Sequence, residues 1–258
     1  GSPQAISAGR VVVRGMVCDD GGMIARKTLM TTPIRLARRL VSLPRRKGNP
    51  RTALPAFAVD AAAISCLSDP AAFRQTLLTL IAQAARRIVI VTLYLQDDDG
   101  GREILAALYA AKARRPELDI AVFVDWHRAQ RGLIGKHKSA GNAGMYREWA
   151  QRLGDGVPIY GVPVQNRELF GVLHLKGFVI DDAVLYSGAS LNDVYLARHD
   201  RYRLDRYHLL RHAGLADAMA GFVANRLAGS GAVRQLNVAE VPSTRSLQPQ
   251  IRRLRGQL

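Results

Sequence analysis

The chain has 258 residues, 48% of them hydrophobic, so it is long enough to bury the core of one substantial domain or of two small ones. It carries 37 Lys and Arg against 21 Asp and Glu, and a net charge of +16 favours polyanionic partners: nucleic acid, ribosomes or an anionic membrane surface. Cys18 and Cys66 belong to no CxxC or Cys/His cluster, which argues against a disulfide framework and a zinc site.

Residues 1–51 form a predicted basic N-terminal extension. Residues 34–43 place their apolar side chains towards one helical face, with Arg35, Arg38 and Arg39 elsewhere, and four further basic residues follow before residue 52. Such a segment either lies as an amphipathic helix on anionic lipid or stays a solvated, partly disordered arm. The sequence leaves both alternatives open.

Residues 52–233 form one predicted folded domain. Ser68-Asp69-Pro70 marks the start of a helix that runs to Arg86 and Arg87. The following order of strand, helix and strand predicts parallel pairing with a right-handed crossover. In chain order we predict a strand at 88–95, a helix at 103–115, a strand at 120–126, a helix at 143–153, strands at 157–162, 172–180, 183–186 and 204–210, and a helix at 215–227.

The remaining residues, 234–258, are predicted to be a linker and a basic helix that leads towards a second half absent from this chain. No apolar run approaches the roughly 18 residues that span a bilayer, and charged residues interrupt the N-terminal apolar stretch. Any work on lipid would therefore be done from the membrane surface, and the two cysteines outside any disulfide pattern fit a cytoplasmic protein.

The predicted strand at 172–180 carries the most informative motif. His174 and Lys176 lie two residues apart in an extended run, so their side chains are expected on one face. An imidazole can attack phosphorus or protonate a leaving group, and an ammonium can hold phosphate oxygens. Asp181 ends the strand, and Ser190 and Asn192 in the next turn are candidate phosphate ligands or helix caps. The whole pattern, HxKxxxxD followed by GxSxN, predicts phosphoryl chemistry.

This pattern resembles the HKD motif of the phospholipase D superfamily. The segments VTLYLQDDDGG (91–101), VDWHRAQRG (124–132) and HDRYRLDRYHLL (199–210) are also similar to one branch, the Gram-negative bacterial phosphatidylserine synthases, and the likeness runs from about Pro70 onwards. Family members carry two HKD motifs, and this chain has one. The resemblance implies an α/β fold: a phospholipase D-like α/β/α layered domain with a mixed, largely parallel sheet, corresponding to the half with the first motif.

The resemblance also implies an activity, the transfer of a phosphatidyl group from CDP-diacylglycerol to L-serine with release of CMP. His174 would then form a phosphatidyl-histidine or protonate the leaving group, and Lys176 would hold the equatorial oxygens without a metal or other cofactor. Asp181 belongs to the motif but is expected to organise backbone rather than touch substrate. Asp205 matches the carboxylate that fixes the catalytic imidazole, the alternative being a salt bridge with Arg203 or Arg206.

A second group of candidate residues follows the predicted strand at 120–126 directly. The carboxyl ends of such strands form the binding edge of α/β sheets. His127, Arg128, Gln130 and Arg131 are therefore candidates for holding the CDP pyrophosphate or the serine carboxylate. The alternative is that Arg128 and Arg131 only add to the basic surface.

Three functions stay open on the sequence alone. The first is a phosphatidylserine synthase, peripheral on the inner face of the cytoplasmic membrane. The second is a phospholipase D-like phosphodiesterase or nuclease that works as a homodimer. The third is an inactive basic half that binds a membrane or ribosome. A single HKD copy needs a second one, from a covalent half or a two-fold partner, so the HKD face should either self-associate or be exposed as an apolar-rimmed basic surface.

Overall fold

The protein is described by a computed structural model that covers residues 11–14, 55–131, 141–165, 171–238 and 240–256, with side-chain surroundings from residue 55 onwards. The predicted amphipathic segment at 34–43 lies outside the described residues. The strands are β1 (Val11–Arg14), β2 (Ala56–Val59), β3 (Ile64–Leu67), β4 (Arg87–Val91), β5 (Asp119–Asp125), β6 (Ile159–Val162), β7 (Gly177–Ile180), β8 (Ala183–Ser187), β9 (Tyr207–Arg211) and β10 (Arg234–Gln235). The helices are α1 (Pro70–Gln83), α2 (Asp99–Arg114), α3 (Trp126–Arg131), α4 (Asn142–Leu153), α5 (Ala213–Phe222) and α6 (Gln248–Arg255).

Eight strands form one mixed sheet in the order β10-β6-β5-β4-β7-β8-β9-β3, and β1 pairs with β2 separately. Within the described strands, β4 with β5 and β5 with β6 are the parallel pairs, and the other pairs in this sheet are antiparallel. The mixed α/β class is confirmed. The expectation of a largely parallel sheet was wrong, because helices connect β4, β5 and β6, whereas the fully described stretch from β7 to β9 contains no helix.

Helices cover both faces of this sheet. On one face, Phe73 of α1 stacks on Tyr207 with ring centroids 4.9 Å apart and meets Phe178 edge-on at 5.6 Å. On the other face, Met219 of α5 comes so close to Gly177 that a Cβ there would lie 3.0 Å from the Met219 methyl carbon. The central strands are buried between these layers. The predicted α/β/α layering is therefore confirmed.

Two strands start later than predicted, and this matters for the site. β7 begins at Gly177 and β9 at Tyr207, so His174, Lys176 and Asp205 all precede their strands. These residues lie in segments without ladder partners in the sheet. The candidate site is therefore built on strand entrances.

The region predicted to be a linker packs against the domain. Arg234 and Gln235 pair with β6, and Ile251 and Leu254 of α6 are buried. The division of the chain at residue 233 thus stays a prediction, while the described residues beyond it contribute to the core. None of the described helices is long and apolar enough to cross a bilayer.

Candidate active site

One edge of the sheet collects nearly all the candidate residues. Val91 at the end of β4 lies opposite Gly177 at the start of β7, and Ser187 at the end of β8 lies opposite Tyr207 at the start of β9. The segments that follow β4, β5 and β8 therefore meet the segments that precede β7 and β9. We call this the active-site edge; of the predicted site residues, the following lie on it: His127, Arg128, Gln130, Arg131, His174, Lys176, Ser190, Asn192 and Asp205.

His174 is exposed on the active-site edge. It lines an open cavity of about 520 Å³, together with Leu173, Leu175, Phe222 and Arg255. The cavity wall is mainly aliphatic and aromatic, with a guanidinium at its rim. The imidazole is therefore accessible to a ligand that has both an apolar part and a negative charge.

Lys176 is half-buried beside Asp205. Burial lowers the pKa of Lys176, and the carboxylate of Asp205 opposes that shift. The Asp205 carboxylate also accepts the backbone N–H groups of Gly188 at 3.1 Å and Arg206 at 2.6 Å. A Cβ on residue 188 would lie 2.8 Å from Asp205 Oδ2, so the approach requires glycine. Asp205 thus links the entrance of β9 to the turn after β8, and its predicted bond to the imidazole of His174 stays a prediction.

Asp181 lies at the other end of β7, about 16 Å of extended chain from Lys176. Its carboxylate accepts three backbone N–H groups, from Ala85 at 2.8 Å, Arg86 at 2.8 Å and Arg87 at 3.0 Å. Burial works against its charge, but these bonds lower the pKa of Asp181. The structure therefore gives it the expected backbone-organising contacts and separates it from the active-site edge.

The turn after β8 is held against the segment after β4 by backbone hydrogen bonds. Leu191 donates to the carbonyl of Tyr94 at 3.1 Å and accepts from the N–H of Gln96 at 2.9 Å. Asn192 Oδ1 accepts the N–H of Tyr195 at 3.1 Å, and its amide lies 3.5 Å from Gln96 Oε1. Asn192 is thus the cap of its turn, one of its two predicted roles.

Tyr94 is a site residue that was not selected from the sequence. Its phenol is half-buried and hydrogen-bonds the hydroxyl of Ser190, near the guanidinium groups of Arg128 and Arg203. Burial, with a smaller contribution from Tyr195, raises the pKa of Tyr94 and keeps it protonated. The edge therefore offers a phenol, a hydroxyl and two cations, which are suitable partners for phosphate oxygens. The segment VTLYLQDDDGG contained the signal, but an aromatic residue after a buried strand reads equally well as core.

Asp125, at the end of β5, is a second residue that was missed. It is 0% exposed, and its Oδ1 accepts the N–H groups of His127 and Arg128, both at 2.9 Å. Its Oδ2 accepts the N–H of Leu173 at 2.8 Å. Burial raises the pKa of Asp125, against these hydrogen bonds. One buried carboxylate thus connects the start of α3 to the residue that precedes His174.

The four candidate residues in α3 differ in their burial and in their contacts. His127 Nε2 lies 2.9 Å from the carbonyl of Gln165, so this nitrogen is the protonated donor. Gln130 and Arg131 are exposed, and Arg128 is half-buried near Tyr94. Arg128 is therefore the best placed of the four to meet a ligand beside Ser190.

The described residues contain one group with metal-ligand geometry, Asp99, Asp193 and His199. His199 Nε2 lies 3.3 Å from Asp99 Oδ2 and 3.4 Å from Asp193 Oδ2. The imidazole of His199 already lies between the two carboxylates, so its contacts with them account for the group without a metal ion.

Comparison with known proteins agrees with this fold. The family model described as "Cardiolipin synthase, PLD-like domain" matches residues 77–193. The CDP-diacylglycerol–serine O-phosphatidyltransferase of Escherichia coli is 54% identical over 190 residues, which is 73% of this chain and 42% of that protein. The corresponding protein of Haemophilus influenzae is 46% identical over 208 residues, 80% of this chain and 46% of that protein.

A crystal structure of phosphatidylserine synthase from Haemophilus influenzae superposes with a TM-score of 0.73 at 45% identity, covering 77% of this chain and 44% of that one. The layered fold with an HxK edge defines a phospholipase D-like domain, and residues 77–193 of the chain match the phospholipase D-like family. Within that family it is similar to the CDP-diacylglycerol–serine O-phosphatidyltransferases. The chain spans less than half the length of these relatives.

Proposed function

We propose that the chain supplies one catalytic half of a phosphatidyltransferase of phospholipid biosynthesis, which makes phosphatidylserine from CDP-diacylglycerol and L-serine. The observation that carries the proposal is the meeting of His174, Lys176 and the Ser190 turn on one sheet edge. The identity of 54% to a protein named for this activity supports the choice of substrates.

The chemistry is a double displacement at phosphorus. His174 attacks the phosphorus of the phosphatidyl group, a P–N bond forms, and the P–O bond to CMP breaks. A second imidazole gives a proton to the departing CMP oxygen. That imidazole then accepts the proton of the serine hydroxyl, whose oxygen attacks the same phosphorus, breaks the P–N bond and regenerates His174. Lys176 stabilises the negative oxygens in both steps.

The other residues of the edge are assigned to substrate binding. Ser190 and Asn192 offer a hydroxyl and a capped turn to the phosphatidyl phosphate, and Arg128, whose charge acts on Tyr94 beside Ser190, is assigned to the second phosphate of CDP. His127 positions α3 through its bond to Gln165, while Gln130 and Arg131 extend the polar rim. Asp181 maintains the connection from α1 to β4.

The second imidazole has to come from outside this set of residues. It belongs either to a second HKD half or to a two-fold copy of the same chain. The substrate is a lipid and the net charge is +16, so we place the reaction at an anionic membrane surface on the cytoplasmic side.

The decisive experiment is an assay of CMP release from detergent-dispersed CDP-diacylglycerol, with and without L-serine, beside a nuclease assay on single- and double-stranded DNA. Serine-dependent release that is lost in His174→Ala supports the proposal. Nuclease activity without CMP release would identify a phospholipase D-like nuclease. Silence in both assays, at concentrations where the chain is dimeric or joined to its second half, would leave a basic binding module and contradict the proposal.

A further inference from the structure

The run at 201–206, immediately before β9, exposes apolar side chains beside the active-site edge. Leu204 is 68% exposed, the highest value for a large hydrophobic side chain among the described residues, and Tyr202 is 55% exposed. The run belongs to no helix or strand, and Tyr202 and Leu204 are two residues apart in it. Water is a poor environment for such a pair, so a partner is expected to cover it.

The run is held at Arg203 and Asp205, on either side of Leu204. Arg203 donates its N–H to the carbonyl of Val194 at 2.9 Å, and its guanidinium carbon lies 6.0 Å from the ring centroid of Tyr195. Asp205 is tied to Gly188 at 3.1 Å. Tyr202 and Leu204 are therefore exposed on a segment that is anchored to the domain.

We propose that residues 201–206 form a membrane-contact loop, in which Tyr202 and Leu204 enter the boundary between lipid headgroups and acyl chains. Arg201 and Arg206, both exposed, would bind lipid phosphates beside them. Tyrosine is suited to this boundary because its ring is apolar and its hydroxyl stays wet. The inference rests on the proposed function, since it brings the lipid surface to the segment that carries Asp205 and faces Lys176.

Charge and size favour lipid over a protein partner. A chain with a net charge of +16 is attracted to an anionic bilayer, and basic residues flank both apolar side chains. Two projecting side chains cover far less than the roughly 1,000 Å² of a stable protein interface. They are sufficient, however, to anchor a protein that electrostatic attraction already holds at the surface.

The test measures binding of the full chain to vesicles containing phosphatidylglycerol, by sedimentation at low salt. The double variant Tyr202→Ser/Leu204→Ser should bind these vesicles at least about tenfold more weakly. The matched control is Leu153→Ser: Leu153 is 56% exposed but lies at the end of α4, away from the active-site edge, and its loss should change nothing.

A second readout reports on the loop itself. Tryptophan at position 204 (Leu204→Trp) should shift its fluorescence to the blue with anionic vesicles and be quenched by brominated lipid, whereas Leu153→Trp should not. Vesicle binding by the double variant that equals that of the control would overturn the proposal, as would a tryptophan at 204 that stays in water on bound protein. A change in self-association without a change in vesicle binding would assign the loop to a second copy and equally refute it.

The two proposals are tested by independent measurements. Detergent-dispersed CDP-diacylglycerol needs no bilayer, so CMP release in detergent tests the proposed activity. Vesicle sedimentation tests the loop. Loop-dependent binding without CMP release would contradict the proposed activity and leave the membrane-contact loop intact.

Discussion

The buried carboxylate of Asp125 allows a sharp test of how the active-site edge is held. Asp125→Asn keeps the shape of the side chain but leaves one acceptor oxygen where the carboxylate has two. Oδ1 accepts hydrogen bonds from the N–H groups of His127 and Arg128, and Oδ2 accepts one from the N–H of Leu173. An amide that keeps the first two bonds directs its NH₂ group at Leu173, donor against donor. The loss of a hydrogen bond should therefore destabilise the segment that carries His174.

The size of the effect follows from two opposing contributions. A buried N–H without an acceptor costs about 1–3 kcal/mol. Burial raises the pKa of Asp125, so the native charge is itself costly, and the amide removes that cost. We expect a net loss of about 1–2 kcal/mol, which corresponds to about 5- to 30-fold faster exchange of the Leu173 amide hydrogen.

The measurement is hydrogen exchange over residues 171–176, combined with urea unfolding and, where CMP release is observed, kcat and KM. The control is Asn237→Asp, the reverse swap at a side chain that is 5% exposed. Asn237 accepts from Ile159 and donates to Val157, both at 3.1 Å, at the start of β6 away from the site. This variant should lose stability without faster exchange over residues 171–176. Native exchange at Leu173 in Asp125→Asn, or equal acceleration in the control, would refute the reasoning.

Three further predictions use other side chains. His174→Ala should abolish CMP release without moving the urea midpoint, because the ring is exposed; more than a few per cent of residual activity would exclude it as nucleophile or acid. Asp181→Asn should lower the free energy of unfolding by about 1 kcal/mol, measured in urea, while exchange over residues 171–176 stays native. Burial raises the pKa of Asp98 to about 6, so the folded state holds this proton more tightly, and the stability it contributes is lost as the pH rises from about 4 through 6. Asp98→Asn, which can still cap α2, should flatten the urea midpoint over that range, and an unchanged slope would contradict the assignment.

The family resemblance was sufficient to predict the α/β/α layers, whereas the sequence placed His174 and Lys176 within a strand and the structure places them before β7. Helix starts at Asp69 and runs of apolar residues are local signals, and the structure follows them. The directions of the strands within the sheet were harder to predict. β7 and β8 are joined by a turn of two residues, which permits only antiparallel pairing. The prediction of a largely parallel sheet had extended the upstream β-α-β pattern to strands that no helix connects.

Asp125 and Tyr94 show why part of the site could not be predicted from the sequence. Asp125 ends β5 and Tyr94 follows β4, and each would suit a strand end or a core position in any α/β protein. The role of Asp125 depends on Leu173, 48 residues later, coming within hydrogen-bond distance of its carboxylate. Such contacts are set by the packing of β5 against the entrance of β7, and no local spacing encodes them.

The described histidines indicate why the edge is half of a site. His127 is bonded to the carbonyl of Gln165, His199 lies between Asp99 and Asp193, and His212 accepts the N–H of Leu215 at the start of α5. Each of these three rings already has a structural partner and His208, the fifth described histidine, lies within β9, whereas His174 faces an open cavity. In-line displacement needs one imidazole on each side of the phosphorus. The open side of His174 is thus where a second HxK edge would have to stand, and a chain alone in solution should transfer at least about a hundredfold more slowly than one that has this second edge.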